Sequence, residues 1–162
     1  MKNNYEIICG VLPEGTLRKV HDFWIENRIL TEPEATIRLQ NLIAVRLREE
    51  KVVSVATVKV YQFGPYGVYY FFSTSTAISE RNRFIPTQEN LLRITIQYLR
   101  DLPVRPKPKG VVAVLENKRI SPKAAGKLGG MSYLGTAPDG NHVMYVNFDG
   151  FPLTHDATSK HN

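Results

Sequence analysis

The chain has 162 residues, 43% of them hydrophobic and 22% charged, with a formal net charge of +6. That length suits one compact domain, that composition a globular protein with a real core, and that charge anionic partners in general. The single cysteine, Cys9, excludes an internal disulfide framework and a cysteine-based zinc site.

Residues 5–12, "YEIICGVL", read as a first strand, with Cys9 as a small apolar residue beside Ile7 and Ile8. Pro13 and Glu14 open a helix in which Leu17, Val20, Phe23 or Trp24, and Ile25 recur at helical spacing, ending near Asn27. "TEPEATIRLQ" predicts a second, short helix, with Thr31 as N-cap, Pro33 in the first turn, and Glu32 and Glu34 at the positive end of the dipole. Two alternating β-branched runs either side of "REEK" form a hairpin, and "GPYG" at 64–67 turns the chain into a third strand, "VYYFFSTSTAI". A polar turn with two arginines follows, and then a helix over Thr87 to Asp101. Its apolar face is Leu91, Leu92, Thr95, Ile96 and Leu99.

"LPVRPKPKG" is a basic, proline-rich connector, and "VVAVL" at 111–115 reads as a strand buried on both faces. Residues 117–128 predict a short helix interrupted by Pro122 and Gly126, and a hairpin around Pro138-Asp139-Gly140-Asn141 closes the fold. The order β-α-α-β-β-β-α-β-α-β-β implies a single α/β (α+β) domain over 1–150. It has a mixed sheet of six to seven strands with helices on both faces, and a polar, disordered tail over 151–162.

Several chemistries find no support. The four histidines show no metal spacing, no Ser-His-Asp order can be defended, and there is no glycine-lysine phosphate loop, so no metal is expected. "MKNNYEIICG" turns polar too soon for a signal peptide, and no apolar run approaches the roughly 20 residues of a membrane helix. A cytoplasmic protein without membrane contact is the expectation. The aromatics of "YQFGPYGVYYFF" fit core and cleft packing, with a stacking platform for bases as the alternative.

With "RNRFIPTQENLL" between a strand and a helix, this order resembles the GNAT superfamily of acyl-CoA-dependent N-acyltransferases, across about residues 5–148. In that family a turn of the form Gln/Arg-x-x-Gly-x-Gly/Ala binds the CoA pyrophosphate. Arg83 takes the leading position here, while Pro86 and Gln88 replace the two small residues. Glycines let the backbone approach a pyrophosphate and free N–H groups at a helix start bind it, whereas proline has no N–H to offer. Arg81 adds a second cation, and Thr87 can cap the helix or contact an oxygen. Solvated arginines before a capped helix are the alternative reading.

The resemblance extends to "VVAVLENKRISPKAAGKLGG", where Asn117 follows a strand and Lys127-Leu128-Gly129 matches the family's Lys-x-Gly. Gly130 stands at the family's phenylalanine position and Ala125 at the tyrosine that often protonates the leaving thiolate. The resemblance implies acetyl-CoA or another acyl-CoA as donor and an amine as acceptor. It also implies that the pantetheine arm pairs with backbone at Thr76, Ala77 and Ile78. A lysine-like acceptor must lose a proton with a pKa of about 10.4, and Glu116, at the end of the neighbouring strand, is the candidate general base. The alternative is an inactive GNAT-fold protein that binds a protein or nucleic acid through its basic surface.

Overall fold

A computed structural model describes residues 5–80, 85–115 and 130–153, with the side chains of 85–89 and 115 outside that description. Its elements run β1 (Tyr5–Cys9), α1 (Glu14–Glu26), α2 (Glu32–Arg38), β2 (Leu42–Arg48), β3 (Lys51–Gln62), β4 (Val68–Thr76), α3 (Ile85–Asp101), β5 (Gly110–Leu115), β6 (Ser132–Thr136) and β7 (His142–Asn147). The seven strands form one mixed sheet in the order β1-β2-β3-β4-β5-β7-β6. The predicted helix over 117–128 lies outside the described residues, as does the tail from 154. Two compact units share the chain: Met1–Val58 with Ser73–Leu99, and Lys59–Phe72 with Arg100–Asn162.

In the first unit, β1 pairs antiparallel with β2, and β2 with β3. Alternation along "LIAVRLR" sends Val45 and Leu47 to one face, where they join Val20, Phe23 and Trp24 of α1, Ala35 of α2, Val55 and Ala77 in a single core cluster. Phe23 and Trp24 are both buried, while Ile25, predicted on the same face, is 37% exposed. It lies about 100° around the helix from Trp24, outside the stripe the sheet can cover. On α3 the predicted stripe is the buried one, Leu91, Leu92, Thr95, Ile96 and Leu99.

Three boundaries differ from expectation. β1 stops at Cys9 because Gly10 has φ +96°, and a Cβ there would meet the Tyr98 hydroxyl at 2.8 Å. β4 stops at Thr76, and Ile78–Glu80 forms a 3-10 turn. α3 begins at Ile85, which places Thr87 third in the helix and removes it as the capping residue, since a cap precedes the first helical residue. Pro86 explains the early start, because its fixed φ suits a first turn and its missing N–H has no intrahelical partner there.

The β2–β3 hairpin turns on Glu49 and Glu50, at φ +50° and +64°, between the cross-strand partners Arg48 and Lys51. Two successive positive φ values favour Asn-Gly, and glutamate pays a steric cost at each. Replacing Glu49 with Asn and Glu50 with Gly should stabilise the protein by about 1 kcal/mol. An unchanged urea midpoint would show the turn to be unstrained.

At α2, the Thr31 N–H and hydroxyl both donate to Glu34 Oε2, at 2.8 and 2.7 Å. These bonds hold the Glu34 carboxyl below its ordinary value of 4.5. A lowered folded value means the contribution is complete above that ordinary value and lost as pH falls through the folded one. The stability difference between wild type and Glu34→Ala should therefore be present at about pH 6 and fade towards about pH 3. A difference independent of pH would assign it to helix propensity instead.

In the second unit, β5 pairs parallel with β4 through Tyr70↔Val111, Phe71↔Val112 and Phe72↔Ala113. On its other side it pairs antiparallel with β7, which in turn pairs with β6. Buried between strands on both sides, Val111, Val112 and Ala113 have at most 3% exposure, as a continuous apolar run predicts. Tyr69 donates to Asn147 Oδ1 at 2.6 Å, and the Asn147 amide donates to the Phe151 carbonyl at 2.8 Å, fixing the chain after β7.

Candidate functional site

The end of β4 is fixed by neighbouring strands. Thr76 is buried, its hydroxyl 3.1 Å from that of Ser54 on β3, and Ser54 also donates to the Ser75 carbonyl. Ala77 donates its N–H to the Val53 carbonyl and accepts from the Glu80 N–H, both at 2.9 Å. Both backbone groups of Ala77 are thus engaged inside the protein. Its flanking neighbours differ in exposure, with Thr76 at 9% and Ile78 at 63%.

Immediately after this segment lies a charged constellation that sequence reasoning missed. Glu80, 5% exposed, accepts from the Tyr5 hydroxyl at 3.1 Å and pairs with the Arg48 guanidinium. The Arg46 guanidinium lies 3.8 Å from the centre of the Tyr5 ring, and Arg46 is also 5% exposed. Burial pulls the Arg46 pKa down, opposed by Tyr5 and Glu80, whereas a hydrogen bond to Tyr5 raises that of Arg48. Arginine remains protonated in both settings. The signal was present in "LIAVRLR", whose alternation puts Arg46 and Arg48 on the face opposite Val45 and Leu47. Only the sheet's cover on that face makes Arg46 a buried charge.

That face also carries Cys9, cross-strand partner of Ala44 and hydrogen-bonded to Thr95 of α3. Burial pushes the Cys9 thiol up, the direction of an inert structural cysteine rather than a nucleophile.

Of the residues the sequence singled out, Thr76, Ala77 and Ile78 stand together at the end of β4. Thr87 and Gln88 fall in the first turn of α3, with side chains outside the described residues. Arg81, Arg83, Glu116 and Asn117 lie outside the described residues, the last two directly following Leu115 of β5. Among the described residues, no group of three or more His, Cys, Asp or Glu could hold a metal ion. No described helix is long and apolar enough to cross a membrane.

No family model and no curated protein matches the chain. Solved structures do. An acetyltransferase of the GNAT family from Streptococcus agalactiae aligns with a TM-score of 0.60 at 11% identity, over 88% of this chain and 95% of its own. A GNAT-family acetyltransferase from Bacillus anthracis gives 0.58 at 13% identity, over 92% and 99%. The loading GNATL domain of CurA from Lyngbya majuscula gives 0.58 at 15%, over 91% and 99%. The protein therefore has the GNAT fold, an acyltransferase-like architecture spanning nearly the whole chain.

Proposed function

We propose that this protein is an N-acyltransferase that moves an acetyl or other acyl group from a CoA thioester to an amine. The observation that carries this reading is the GNAT fold over almost the entire chain. Within it, the segment bearing Arg81 and Arg83 joins β4 to α3. In this reading the two arginines and the free N–H groups at the start of α3 receive the pyrophosphate. Gln88 adds an amide donor, and Thr87 a hydroxyl from inside the first turn. The pantetheine arm runs along the end of β4, pairing with Thr76 and Ile78, which flank the internally engaged Ala77. Asn117 is assigned to donor binding, and Glu116 to removing the proton of an acceptor that arrives as an ammonium ion.

A second reading, a GNAT-fold binding protein without acyl transfer, draws on Pro86. It occupies the first turn of α3, where the family's small residue would leave an N–H for phosphate. Ala125, at the position of the family's tyrosine, points the same way. An anionic protein or nucleic acid would be the partner of such a basic chain.

Calorimetric titration with acetyl-CoA, with dephospho-CoA for comparison, separates the readings. Micromolar binding supports the donor site, and no binding at millimolar ligand sinks it. Arg83→Ala should weaken CoA binding about tenfold at low salt if the guanidinium contacts phosphate. Pro86→Gly should tighten it about fivefold if the absent N–H is the defect. Unchanged affinity in either variant removes that residue from the account.

A further inference from the structure

The last cross-strand row of β5 is Leu115↔His142, and His142 pairs in turn with Thr136 of β6. His142, distant in sequence, thus stands at the carboxyl end of β5, beside the strand end that leads into Glu116 and Asn117. Ligands of open α/β sheets bind at the carboxyl ends of parallel strands, and β5 is one of the parallel pair.

Two features set this histidine apart. Its ring meets that of Tyr133 edge-on, with centroids 5.6 Å apart and an interplanar angle of 72°. The Tyr133 hydroxyl is in turn paired with that of Thr136 at 2.8 Å. Its Nδ1 is buried with no hydrogen-bond partner among the described residues. Buried polar atoms left unpartnered are uncommon in folded proteins, and each asks for a cause such as catalysis or a bound group. The contact with Tyr133 orients the ring but gives the nitrogen no hydrogen bond. Histidine is also the side chain most often used to carry a proton in transfer reactions.

We infer that the His142 imidazole accepts the proton of the amine acceptor during acyl transfer, an inference that rests on the function proposed above. The neutral amine attacks the thioester carbonyl, forming the C–N bond, and the imidazole takes the N–H proton. The C–S bond then breaks with its electron pair on sulfur. The proton held by His142 ends on that sulfur, so the products are the amide and CoA thiol, and the imidazole is neutral again. An acceptor arriving as an ammonium ion first loses one further proton in the separate step proposed above.

Diethyl pyrocarbonate labelling read by peptide mass spectrometry tests where His142 stands. Saturating acetyl-CoA should slow carbethoxylation of His142 at least severalfold while leaving His21 of α1 unchanged as internal control. His142→Ala should then retain donor affinity by calorimetry. It should lose about 10²- to 10⁴-fold in acetyl-CoA turnover with propylamine as probe acceptor, and added imidazole should restore part of that loss. If calorimetry shows donor bound but His142 reacts at an unchanged rate, or not at all, the inference fails and the donor site stands. Absent propylamine turnover in the wild type, unchanged turnover in the variant, or a loss that imidazole leaves unrepaired, overturns the proton-transfer role. Failure of the donor to bind removes the proposed function, and this inference with it.

Discussion

Gly110→Ala should abolish cooperative folding or destabilise the protein by at least about 4 kcal/mol, among the largest costs a single methyl can carry. Gly110 opens β5 opposite Asn147 of β7. A Cβ built there would lie 1.9 Å from the Val146 carbonyl oxygen and 2.9 Å from the Asn147 Cα. Both atoms are backbone of the paired strand, so no side chain can swing aside. The strands would have to part at this row, and Asn147 would be drawn from its bond with Tyr69. The cost is a broken ladder in the middle of the second unit, not a local crowding. Urea unfolding and far-ultraviolet circular dichroism decide the matter. A midpoint equal to that of the wild type would mean that β5 and β7 do not approach as closely as this.

Glu80→Ala should cost about 2–4 kcal/mol, because it strips the counter-charge from a buried pair rather than from a surface one. Three groups lose their partner at once. The Tyr5 hydroxyl loses its acceptor, Arg48 its carboxylate, and Arg46, buried on the Tyr5 ring, a negative charge that favours its protonated form. Arg48 is the exception that limits the figure. Its side chain is 31% exposed and can turn towards water. Glu80→Gln preserves the shape and an acceptor for Tyr5, so it should cost less than the alanine. A double-mutant cycle between Glu80 and Arg48 isolates their coupling. If Glu80→Ala costs under about 0.5 kcal/mol, the pair behaves as an ordinary surface contact and the buried cluster is not a structural anchor.

The sequence was most informative where periodicity and burial coincide. Along α3 the spacing of Leu91, Leu92, Thr95, Ile96 and Leu99 specified the buried stripe, because a helix covered on one side leaves a single arc for apolar residues. The run "VVAVL" likewise specified a strand covered on both faces. Boundaries were less legible, since they depend on single residues whose effect is conformational. Gly10 ended β1 through a positive φ, and Pro86 drew the start of α3 two residues earlier than Thr87.

The candidate site was legible only in part. Of the residues read from the sequence, Thr76, Ala77 and Ile78 stand at the end of β4, while Arg81 and Arg83 lie outside the described residues. Glu80, three residues before Arg83, could not be recognised as a buried anchor. Its burial requires Tyr5 and Arg48, which lie 75 and 32 positions away in the chain and reach it only through the pairing of β1 with β2. His142 was hidden for the same reason, since nothing local in "NHVMYV" says that it stands beside the end of β5.

By itself, then, the sequence determined the order of the described elements and the buried stripes of α3 and β5. These follow from local periodicity and chain connectivity. Tertiary structure alone decided which polar side chains meet. It buried Glu80 with Tyr5 and two arginines, engaged both backbone groups of Ala77, and set His142 at the end of β5. The reason is physical: hydrogen bonds and ion pairs act over a few ångströms between residues that only strand pairing brings within reach.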